Sequence, residues 1–126
     1  MPLTRISIRR GKPEAYRKKI MTNIYDSMHE VFDVPEDDYF MVLSEHDETD
    51  FMFPSRFLGM AHSENFVLIQ ITCNNTRNLD QKKALYKRIV DRLQADPGIA
   101  PSDVLINLVE VTKENWSMGN GLASYA

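Results

Sequence analysis

Strand-like and helix-like stretches follow one another in the same order twice along this chain of 126 residues. Leu3 to Ile8 alternates as a strand. Gly11-Lys12-Pro13 breaks it, and Pro13 suits the first position of a helix. From Glu14 the apolar positions Tyr16, Ile20, Ile24, Met28 and Val31/Phe32 recur every three or four residues, and Met21 and Tyr25 broaden the stripe. That spacing predicts a helix of about five turns with one core face. Pro35 ends it near Asp33, and Tyr39 to Leu43 reads as a second strand. Ser44 to Asp50 is an acidic loop, and Phe51-Met52-Phe53-Pro54 is aromatic and irregular. The order then repeats. Phe66 to Thr72 (FVLIQIT) is a strand, Cys73-Asn74-Asn75-Thr76 a turn, and Asn78 with Gln81 has capping-box spacing for a second helix. Its stripe is Leu85, Ile89 and Leu93. Asp96-Pro97-Gly98 stops it, Val104 to Val111 (VLINLVEV) is the fourth strand, and a Gly-rich tail follows from Trp116 to Ala126.

The second set of elements starts about 64 residues after the first, so the repeat is architectural, with little residue-level similarity. The expected fold is α+β: tandem β-α-β units forming one four-stranded mixed sheet. Right-handed crossovers would put both helices on one face of that sheet. The length fits a single domain spanning 1–126, with residues 2–62 as the first unit plus an insert and 63–126 as the second unit plus tail. Strands such as FVLIQIT and VLINLVEV are apolar on both sides, so a sheet covered on one face only would expose a large apolar patch. Burial against identical copies is the expected remedy, which predicts a homo-oligomer.

Fifteen Lys and Arg against eighteen Asp and Glu give a net charge of −3, which argues against nucleic acid or an anionic membrane as partner. The one cysteine, Cys73, leaves no internal disulfide or Cys-rich metal site and points to a reducing cytoplasm. No apolar run reaches the ~20 residues of a membrane span, and the N-terminus does not read as a signal peptide. Phosphate-loop, nucleophile-elbow and zincin motifs are absent. Glu45, Asp47 and Asp50 lack the Gly and terminal Glu of a calcium loop, so no metal site is expected.

Pro2 carries the strongest chemical signal. An initiator Met before a small residue is normally removed, and the mature chain would then begin with a secondary amine. An α-amino group titrates near ~7.7–8.0, so modest desolvation or a nearby cation leaves it neutral at pH 7. Such an amine is a general base close to its best operating pH, and in its protonated form a general acid. Asp38 precedes the second strand, and Arg77 follows the third at the entrance of the second helix. If the first and third strands are neighbours, both can approach one end of strand one.

The Met-Pro start, FDVPEDDY at Phe32–Tyr39, RNLDQKKALY at Arg77–Tyr86, PSDVLINLVEV at Pro101–Val111 and KENWSMGNG at Lys113–Gly121 together resemble the tautomerase superfamily. The likeness is to its branch around malonate semialdehyde decarboxylase, and it covers almost the whole chain. It implies a homotrimer and catalysis by the amino-terminal proline, here Pro2, without cofactor. It further implies that Asp38 positions or activates water and that Arg77 binds the carboxylate of a small 2-oxo or 3-oxo acid. Tyr39, Asn75, Trp116 and Met118 would line the substrate. Asn75 stands where the decarboxylases carry the first of two arginines, and an amide cannot replace a guanidinium's charge. The expected activity is therefore keto-enol tautomerisation. Decarboxylation or hydration of a malonate semialdehyde-type acid and a non-catalytic trimeric ligand-binding role are the alternatives.

Overall fold

The computed structural model describes residues 2–125. Strand β1 (Leu3–Arg9) leads to helix α1 (Glu14–Val31) and strand β2 (Phe40–His46). Two short strands follow, β3 (Arg56–Phe57) and β4 (Met60–Ala61), and then β5 (Val67–Asn74), helix α2 (Leu79–Ala95) and β6 (Val104–Val111). The main sheet runs β2-β1-β5-β6. β1 is parallel to β2, antiparallel to β5, and β5 is parallel to β6. This is the mixed four-stranded sheet expected from the repeated order.

Both helices cover one face. Thr4, Ile6 and Ile8 of β1 and Val67, Ile69 and Ile71 of β5 point inward and are buried. They meet Ile20, Ile24 and Met28 of α1 and Leu85, Ile89 and Leu93 of α2 in one apolar cluster. Each fully buried side chain of this size contributes roughly 1.5–3 kcal/mol of transfer free energy. The helix periodicity read from the sequence therefore picks out the residues that hold the two layers together.

Several boundaries differ from the sequence reading. β2 runs on to His46 because Glu45, on its helix-facing side, meets Arg17 of α1 at 2.8 Å. Asp47 and the single 3-10 turn Glu48–Asp50 are what remains of the acidic loop outside the sheet. β5 includes Cys73 and Asn74, which pair with Glu110 and Val111 of β6, so the turn begins later than composition implied. The insert is not wholly irregular: β3 and β4 form a hairpin whose two loop residues, Leu58 and Gly59, both have positive φ (49° and 79°). That is the type I′ geometry, which matches strand twist.

The outer face is also less uniformly apolar than the two strand sequences implied. Arg5, Gln70 and Asn107 stand in register across three strands, with Gln70 Nε2 donating to Asn107 Oδ1 at 3.1 Å. Phe40 and Val42 on β2, beyond the Arg5 end of this polar band, and Leu105 and Val109, flanking Asn107 on β6, remain exposed.

Candidate active site

Strand register brings the expected residues to one end of the sheet. Leu3 lies opposite Phe40 on β2 and Thr72 on β5. Pro2, one residue earlier and buried, therefore stands level with Tyr39 and Cys73. The same end receives the start of β2, the exits of β5 and β6, and the C-terminus of α1. Asp38, Arg77, Asn75 and Trp116 all belong to segments that enter or leave there. Topology alone thus gathers residues as far apart in sequence as Pro2 and Trp116.

The turn carrying Asp38 is built by Pro35 to Asp38. The Asp38 amide donates to the Pro35 carbonyl at 3.2 Å, and Asp37 takes a positive φ of 65°, a conformation Asp tolerates better than most residues. The Tyr25 hydroxyl clamps this turn, accepting from the Asp37 amide at 3.1 Å and donating to the Pro35 carbonyl at 3.4 Å. Tyr39 packs edge-on against the same Tyr25 ring, with centroids 5.2 Å apart. Asp38 is half-buried.

Arg77 is held by the end of α1. Its Nη2 donates to the Phe32 carbonyl at 2.6 Å, and its guanidinium lies over the Phe32 ring, 4.7 Å from the centroid. A cation at a helix C-terminus satisfies an orphan carbonyl and complements the helix dipole. Arg77 is half-buried, so its charge is oriented yet reachable. Burial pushes the neighbouring Cys73 thiol above its ordinary range, against the pull of Arg77, so Cys73 stays protonated and weakly nucleophilic.

Beyond β6, Trp116 turns back onto the sheet. Its Nε1 donates to Asn74 Oδ1 at 2.7 Å, and Asn74 is buried. Asn75, the expected substrate ligand, is exposed, and its backbone amide donates to the Val111 carbonyl at 3.0 Å. Met118 is partly exposed in the tail. Asn74 is the member of this group that sequence reasoning missed. Strand alternation decides which of two adjacent asparagines turns toward Trp116, and the sequence pattern of the strand stops at Thr72, before either of them.

Tyr39 also lines an open groove of about 640 Å³ with Met21, Tyr25, Phe40 and Met41, between α1 and the free edge of β2. A second cavity of about 670 Å³ lies at the opposite end of the sheet, where Arg9, Lys12 and His46 mix with Glu48 and Glu64. Among the described residues, no three His, Cys, Asp or Glu side chains cluster as metal ligands, and no helix is long and apolar enough to cross a membrane.

Comparison with known proteins agrees with this architecture. The family described as "Tautomerase enzyme" matches residues 38–119. The probable tautomerase YusQ of Bacillus subtilis (strain 168) is 36% identical over 98% of this chain and 97% of its own. A malonate semialdehyde decarboxylase, solved in wild-type, proline-to-alanine and inactivated forms as a basis for its decarboxylase and hydratase activities, superposes with a TM-score of 0.91. It is 29% identical, over 98% of this chain and 95% of its own. A second malonate semialdehyde decarboxylase, inhibited by 3-bromopropiolate, is 31% identical with a TM-score of 0.90, over 98% and 93% of the two chains.

Proposed function

The chain belongs to the tautomerase family of enzymes, and from that premise we propose that it interconverts the keto and enol forms of a small 2-oxo or 3-oxo carboxylate through Pro2. With Met1 removed, the neutral secondary amine of Pro2 takes the enol hydroxyl proton and a proton is returned to the adjacent carbon as the carbonyl forms. Arg77 holds the substrate carboxylate by charge-assisted hydrogen bonds. Asp38 orients water or the prolyl nitrogen, and Tyr39, Trp116 and Met118 supply an apolar surround that disfavours the charged amine. The observation that supports this reading best is the convergence of Pro2, Asp38 and Arg77 on one end of the sheet. The working unit is a homotrimer, supported by the partly apolar outer face.

The test is ketonisation of a phenylpyruvate-type enol by wild type and Pro2→Ala. The expected result is a loss of 100-fold or more, on the order of a general acid–base contribution. Equal rates would eliminate the proline mechanism. So would an intact mass that retains Met1 in protein from native cells, since an acylated Pro2 nitrogen has no basicity.

Decarboxylation or hydration of a malonate semialdehyde-type acid is the second reading. It is favoured by the close superposition on malonate semialdehyde decarboxylase. It differs in needing a protonated Pro2 and an Asp38-activated water. Carbon dioxide release from malonate semialdehyde at a rate exceeding enol ketonisation would put it first.

A further inference from the structure

The hydrogen bond between Trp116 and Asn74 fixes more than the position of the indole. An indole Nε1 can only donate, so Asn74 must present Oδ1 to it, and the 2.7 Å contact is with that oxygen. The amide is planar, so its Nδ2 donors are committed to the other side. Among the described residues Nδ2 has no acceptor, and it is not one of the fully enclosed, unpaired side-chain atoms. It is therefore open to an incoming oxygen. Asn74 is the last residue of β5, at the sheet end where Pro2 and Arg77 also lie, and β5 adjoins β1.

From this we infer that Asn74, rather than Asn75, is the second polar group that contacts the substrate, donating from Nδ2 to its enol oxygen while Arg77 takes the carboxylate. The inference rests on the proposed tautomerase reading and deepens it. During ketonisation negative charge builds on the enol oxygen as its proton leaves, and a pre-aimed neutral donor stabilises that charge without rearranging. Trp116 is then a positioning residue as well as a wall. Asn75 offers no comparable anchoring, because its exposed side chain makes no hydrogen bond among the described residues.

Asn74→Asp separates this role from a structural one. At neutral pH a carboxylate still accepts from Trp116 but has no N–H to offer the substrate. The expected result is a fall in kcat/KM of about 100-fold, the scale of one lost oxyanion donor. Trp116 is the chain's single tryptophan, so unchanged indole emission would report the retained anchor. Wild-type-like kcat/KM with unchanged emission would overturn the inference. A loss seen with the carboxylate substrate but absent with its methyl ester would also overturn it, because repulsion alone would then explain the effect. If wild type and Pro2→Ala ketonise equally, the proposed function fails instead. Binding then decides: phenylpyruvate quenching of Trp116 tenfold weaker in Asn74→Leu supports the donor role, and equal quenching affinity rejects it.

Discussion

Arg77 reads in the sequence as one of fifteen cations, and what distinguishes it in the fold is Phe32. The ring beneath the guanidinium and the carbonyl 2.6 Å from Nη2 hold the charge in one place. A flexible surface arginine would lose side-chain entropy on gripping a carboxylate, whereas this one has lost it already. Arg77→Ala should cost about 2–4 kcal/mol in transition-state binding, read as kcat/KM for enol ketonisation. Arg77→Lys should recover little of it, because an ammonium cannot make the planar, stacked contact. Unchanged efficiency in Arg77→Ala would return this residue to the role of a helix-end cap. The gathering of Pro2, Asp38 and Arg77 at one end of the sheet was legible because strand order alone decides it. The burial of Asn74 against Trp116 was not, because it depends on which way one side chain points at a strand end.

At the scale of elements, the parts specified by local chemistry were the readable ones. Asn78 accepts from the Gln81 amide and Gln81 returns the bond to the Asn78 amide, both at 2.9 Å, so the spacing seen in the sequence is a closed capping box. Asn78→Ala should lower unfolding free energy by about 1 kcal/mol in denaturant titration, with the slope unchanged. No measurable change would mean that α2 is held by its buried stripe alone. β6 was likewise bounded correctly, at Val104 and Val111. The errors arose where distant contacts decide. β2 extends through Glu45 because Arg17 lies beneath it. The β3–β4 hairpin turns at Leu58-Gly59, which carries half of the usual Asn-Gly signal. Asp103, just before β6, carries no sequence signal of its own, yet it is buried and accepts from both the amide and the hydroxyl of Ser63, tying the approach of β5 to that of β6. No short window contains both partners of such a contact.

The outer face of the sheet sets the behaviour of the whole molecule. Helices cover the inner face, while Phe40 and Val42 on β2 are 52% and 47% exposed, and Leu105 and Val109 lie bare on β6 at the other edge. The Arg5–Gln70–Asn107 band crosses the sheet from beside Val42 to between Leu105 and Val109, with Gln70 and Asn107 already bonded to each other. A purely apolar face would favour any collapse that hides it, whereas apolar margins around a polar band favour one alignment of copies. The two apolar margins sit on opposite edges, so contact between unlike edges closes into a ring if the rotation permits. This supports the homotrimer over an open aggregate. Light scattering on the purified protein should therefore give three times the 14.6 kDa chain mass. Val42→Asp places a charge where a neighbour would bury it, but where the isolated subunit exposes it to water. It should dissociate the assembly while leaving the helical circular dichroism signal intact. Loss of both together would mean that the subunit does not fold without its neighbours. A wild type that scatters as a single chain would show that the polar band suffices to keep this face in water.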